Sequence, residues 1–235
     1  MANSPYPSAS SPSYVSAEER VSSFLRGVYG WMFIGLLVTA ITASVVAGSP
    51  TMMQALLGNK LLFFGLIAAQ LGLVFFLSAR VGSLAPATAA GTFLIYSALN
   101  GITLSLILLA YTGASIANAF VVAGGMFGAL ALYGTTTKRS LAGWGSFFFM
   151  GLIGVVLASV VGMFWRNDTL QFVIGLVGVI VFTGLTAYDA QRLKAMALAV
   201  PEGQLGSFAV SGALSLYLNF VNLFLSLLRL MGNRR

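Results

Sequence analysis

Seven long apolar runs dominate this chain, at about residues 27–48, 61–79, 85–110, 115–134, 143–164, 170–190 and 207–230. Each is close to the roughly 20 residues with which an α-helix, rising about 1.5 Å per residue, covers a hydrocarbon core of about 30 Å. Hydrophobic residues make up 58% of the sequence and charged residues 7%, and mean hydropathy is +0.94. Lipid, rather than water, is therefore the expected surroundings of most of the surface. A segment in lipid must satisfy its own backbone donors and acceptors, and the ten-residue alternation of an outer-membrane barrel is absent. The fold class that follows is all-α: a polytopic seven-transmembrane-helix bundle, with residues 20–235 forming one domain.

Residues 1–19, "MANSPYPSASSPSYVSAEE", are rich in Ser and Pro and poor in bulky aliphatics. Such a stretch buries too little to fold alone and reads as a disordered polar tail. It has neither the positive start nor the apolar core of a cleaved signal peptide, so the first run is expected to serve as the insertion signal.

Charge distribution predicts topology. The formal net charge is +7, but the 12 basic residues are scattered singly or in pairs through the connections, which is not a nucleic-acid surface. With the N-terminus in the cytoplasm, Arg20, Arg26, Arg80, Lys138, Arg139, Arg192 and Lys194 lie inside, against Lys60 and Arg166 outside. Arg229, Arg234 and Arg235 lie outside if the seventh run crosses fully, the expected course, and inside if it re-enters.

The sequence has no cysteine and no histidine, which removes disulfides, thiol nucleophiles, imidazole bases and the commonest zinc ligands. No cofactor is expected. An intramembrane aspartyl protease needs a second catalytic carboxylate beside the first, and only five acidic residues are present. The chain is not expected to be an enzyme.

One of the five acids, Asp189, ends the apolar run "LQFVIGLVGVIVFTG" within "LTAYDAQRLK". In the last run, Ser211, Ser215, Asn219, Asn222, Ser226 and Arg229 recur at helical spacing and form one polar stripe. A stripe of this kind is costly against lipid, so this helix belongs in the middle of the bundle. A hairpin turning near Gln204 brings Asp189 and Asn219 to the same depth. Two roles stay open for Asp189: a contact with Asn219 inside the membrane, or an interfacial pair with Arg192 one turn on. Gln70, Asn100, Thr103, Thr183 and Thr186 are further polar residues within the runs. Glycines at one-turn intervals, Gly124 with Gly128, Gly151 with Gly154, and Gly175 with Gly178, are expected where helices pack closely.

The stretches "VYGWMFIGLL", "VVAGGMFGALALYGTTTK", "VGVIVFTGLTAYDAQRLK" and "GALSLYLNFVNLFLSLLR" resemble the Bax inhibitor-1 family, its bacterial branch in particular. The likeness runs over roughly residues 26–235. It implies seven transmembrane helices with the last one central, and an inner (plasma) membrane location. It also implies a calcium-permeable leak whose closed state is governed by pH through two aspartates on the sixth and seventh membrane helices. Asp189 matches the first of these. The second falls on Asn219, where the family usually has aspartate, so weaker pH gating is expected. Arg80, by topology the isolated cation best placed to reach Asp189, matches a latch arginine of the family, and Ser215, Asn222, Ser226 and Thr186 are the expected lining of the path. Calcium prefers six to eight oxygen ligands, so Asp189 alone suits only transient contact with the ion. The partners implied are calcium and the lipid bilayer. The competing expectation is a non-conducting protein that binds and modulates a membrane protease or another membrane complex, through the tail at 1–19.

Overall fold

The structure is a computed structural model that describes residues 16–165 and 167–233. Residues 1–15, the bulk of the expected tail, lie outside the described residues, as do Arg166, Arg234 and Arg235, which the topology argument used. Among the described residues there are eight α-helices and no strand: α1 (Ala17–Ala47), α2 (Pro50–Gly58), α3 (Lys60–Arg80), α4 (Pro86–Ala110), α5 (Gly113–Thr136), α6 (Ala142–Phe164), α7 (Asp168–Ala199) and α8 (Leu205–Met231). All but the short α2 are long and apolar enough to cross a membrane.

Local chemistry accounts for the ends. Ser16 caps α1 in a capping box with Glu19, so the helix starts inside the segment assigned to the tail. Ser49 caps α2, with Pro50 in its first turn, and Asn59 closes α2 while accepting from Leu62 N–H to open α3. Asn167 caps α7 in the same way, through Leu170 N–H.

Two features depart from the apolar runs. The helix α2 falls in a stretch expected to be a connection. In addition, α7 runs past residue 190 to Ala199, because "QRLKAMALA" is amphipathic rather than apolar. Ala190, Leu193 and Ala197 point inward, while Arg192 and Lys194 are exposed.

The last helix is central. It packs against α1, α4, α5 and α7 and touches α3. At one end Ser207 Oγ donates to Leu84 O, in the α3–α4 connection; at the other, Asn233 O accepts from Thr112 N–H, in the α4–α5 connection. Because α4 separates those two connections, α8 traverses the whole depth of the bundle. By contrast, α3 and α6 are peripheral. Phe64, Phe75 and Phe76 of α3, and Phe147, Phe149, Met150, Leu157 and Val161 of α6, are exposed, as lipid-facing side chains should be.

Only some glycine pairs sit at helix contacts. Gly178 abuts Ser226 and Gly175 abuts Leu230, so α7 and α8 approach closely there. At Gly134 a Cβ would strike the backbone of Ala187, which brings α5 onto α7. Gly124, Gly128 and Gly154 instead have open space where a side chain would be. Spacing alone does not say which face of a helix meets a neighbour.

Candidate functional site

Three residues of "YDAQ" on α7 project in different directions and do different things. Asp189 points toward α8, where Asn219 Nδ2 donates to its Oδ2 at 2.7 Å. The turn between the helices is a 3₁₀ element at Glu202–Gln204, so the hairpin register expected from the sequence is the one observed. Gln191 turns the other way. Its Oε1 accepts from Leu141 N–H at 2.8 Å and its Nε2 donates to Arg139 O at 2.9 Å, holding the α5–α6 connection. The Tyr188 ring packs where Gly145 of α6 has no side chain; a Cβ there would lie 2.7 Å from it.

The Asp189–Asn219 pair lies on the wall of a cavity of about 910 Å³ lined by α3, α4, α6, α7 and α8, which opens between α3 and α6 past the exposed Phe75, Phe149 and Met150. Its polar lining is Gln70, Tyr96, Ser146, Tyr188, Asp189, Arg192, Ser215, Asn219 and Asn222, and the remainder is mostly apolar side chains of α3 and α6. Asn219 is 5% exposed, so its amide is withdrawn from water, whereas Asp189 is half-buried on the cavity wall. Arg192, one turn on, shares the wall and acts on the Asp189 carboxylate electrostatically, although no salt bridge closes between the two among the described residues. Of the two roles open to Asp189, contact with Asn219 is the hydrogen-bonded one, with Arg192 acting on it at longer range.

The sequence pattern described as "Inhibitor of apoptosis-promoting Bax1" matches residues 21–235. The chain belongs to the Bax inhibitor-1 family. This Bax inhibitor-1 chain is 48% identical to the inner membrane protein YbhL of Escherichia coli (strain K12), over 96% of the chain and 97% of YbhL. It is 41% identical to an uncharacterized protein of Borreliella burgdorferi, over 91% and 93% of the two, and 38% identical to the uncharacterized protein RP147 of Rickettsia prowazekii, over 93% and 92%.

Other expected site residues of this Bax inhibitor-1 chain divide. Ser215 and Asn222 line the cavity. Thr186 does not: it is fully buried and its hydroxyl donates to Phe182 O at 2.7 Å, within α7. Ser226 does not either, because it is packed against Gly178 and bonded to Asn222 O. The stripe on α8 is wide enough to face two neighbours, so its members part company. Their donors mostly return to their own helix, as with Asn222 to Leu218 O and Ser215 to Ser211 O. Arg80 is exposed at the end of α3, outside the cavity lining, and among the described residues its side chain makes no hydrogen bond or ion pair with Asp189. The expected latch contact is therefore not made here, because α3 ends beyond the cavity.

A second polar cluster escaped the sequence reasoning. Tyr217 of α8 is wholly buried and its hydroxyl lies 2.6 Å from Thr39 Oγ1, which also bonds Ser97 O at 2.9 Å. Phe93 and Tyr96 pack edge-on against the Tyr217 ring, and Asn100 donates to the Tyr96 hydroxyl at 3.0 Å. The available signal was the tyrosine itself, since a buried phenol needs a partner. Tyr96 joins this cluster to the cavity, which it also lines.

Proposed function

We propose that this chain is a passive cation leak of the inner membrane, with calcium as the leading ion and the Asp189–Asn219 contact as its gate. The observation that carries the reading is the 2.7 Å bond between these residues at the wall of a cavity whose α7 and α8 side is polar. The bond ties α7 to α8, and breaking it frees the Asp189 carboxylate and lets the Asn219 amide turn its oxygen toward a passing cation. A single acidic group offers a weak, transient site, as conduction requires. The membrane assignment rests on seven spanning-length helices and on the likeness to an inner membrane protein. The N-terminus is taken as cytoplasmic, because Arg20, Arg26, Arg80, Arg139, Arg192 and Lys194 gather at that end of the bundle.

Gating here is weakly sensitive to pH. Two adjacent carboxylates cannot both ionise freely, so they share a proton and separate when it is lost. An aspartate–asparagine pair lacks that repulsion. The test is calcium flux into proteoliposomes from mildly acidic to mildly alkaline pH for the native chain, Asn219→Asp and Asp189→Asn. Native flux should be nearly flat, Asn219→Asp should rise steeply with pH, and Asp189→Asn should be flat and reduced. Silence of all three, where a two-aspartate relative conducts, would remove the leak and favour a partner-binding role.

A further inference from the structure

A second cavity, of about 420 Å³, lies deeper along α8, lined by Phe63, Ile67 and Gln70 of α3, the end of α4, and α8 as far as Arg229. Two residues, Ile67 and Gln70, line both cavities. The first cavity reaches toward the end of the bundle that holds Arg192; the second reaches toward the end that holds Tyr111 and Arg229. From Asn219 to Arg229, α8 climbs about 15 Å at roughly 1.5 Å per residue, half the thickness of a hydrocarbon core. Two cavities lie one beyond the other over this span and share one turn of α3, Ile67 and Gln70, as a common wall.

The wall is poorly fastened. Gln70 is half-buried, and its one side-chain hydrogen bond among the described residues runs from Nε2 to Leu66 O of its own helix, at 3.2 Å. Its Oε1 carries no hydrogen bond among the described residues. Of the α3 residues lining either cavity, Gln70 alone is polar. Leu77 is the buried residue of α3, and it lies well along the helix from this turn. Swinging the amide away from Leu66 costs one weak intrahelical bond, so the wall can open by a side-chain rotation with no loss of packing between helices.

We infer that Gln70 and Ile67 form the septum between the two cavities, and that the Gln70 amide is an internal gate whose oxygen a hard cation takes up as it passes. The cation part rests on the leak reading above; the septum does not. An apolar residue at 70 closes the wall by excluding water, whereas a small one opens it.

The sequence has no cysteine, so an introduced one is the only thiol. Ser215→Cys reports on the first cavity and Thr103→Cys on the second, each probed in sealed, oriented vesicles with a membrane-impermeant cationic thiosulfonate added to one side. With Gln70 intact, each reporter should label from its own side only. Adding Gln70→Ala, or Ile67→Ala as an independent variant, should allow labelling from both sides and raise calcium flux about tenfold or more. Gln70→Leu should keep labelling one-sided and abolish flux. Persistently one-sided labelling in both alanine variants would overturn the septum, even with native flux intact. Two-sided labelling in those variants with no flux from any chain would keep the septum and defeat the leak.

Discussion

Asp189 and Asn219, thirty residues apart in sequence, meet across the α7–α8 hairpin through a 2.7 Å hydrogen bond from amide to carboxylate. Each residue leaves its partner unsatisfied if removed. Asn219→Ala should therefore lower stability in detergent by about 1–3 kcal/mol, because it strands a half-buried carboxylate. Asn219→Gln should recover part of the loss, and thermal unfolding of the three chains measures it. Equal midpoints for all three would show that the bond contributes nothing to holding the hairpin.

Gln191 should be a structural residue. Replacing it with Ala removes the bonds to Leu141 N–H and Arg139 O together, and the α5–α6 connection should exchange its amide hydrogens faster around residues 139–142. Gln191→Glu keeps the acceptor for Leu141 and loses the donor for Arg139, so its effect should be intermediate. Unchanged exchange in the alanine variant would refute the role.

Contact between Gly178 and Ser226 makes a prediction about pairs of substitutions. Gly178→Ala places a methyl group against the Ser226 hydroxyl and should destabilise by about 1–3 kcal/mol. Combining it with Ser226→Gly should restore much of that loss, giving a coupling of about 0.5–3 kcal/mol in a double-mutant cycle. Simple additivity would mean that the helices shift apart instead.

The Thr39–Tyr217 pair is asymmetric. After Tyr217→Phe, Thr39 Oγ1 still donates to Ser97 O, so the cost should be about 0.5–1.5 kcal/mol. Thr39→Val leaves the Tyr217 hydroxyl buried without its partner and should cost more, about 1–3 kcal/mol. Unfolding midpoints of the two variants decide the order, and the reverse order would show that the phenol finds another acceptor.

The seven membrane-length helices were legible because apolar length is a one-dimensional property, set by the thickness of lipid and the rise of a helix. The Asp189–Asn219 contact was legible for a related reason. A tight turn at 202–204 forces residues equally far from it to equal depth, and both side chains are polar in apolar surroundings. Lateral placement was not legible. Whether Thr186 or Ser226 faces a cavity, whether Gly124 meets a neighbour, and whether Arg80 reaches Asp189 depend on the rotation of each helix about its axis. That rotation is chosen by packing among all the helices at once. The division of "YDAQ" into a partner of Asn219 and a loop anchor, the buried Thr39–Tyr217 link, and the place of Ile67 and Gln70 on the linings of two cavities were decided by tertiary structure alone, because each joins elements far apart in sequence whose faces only the assembled bundle brings together.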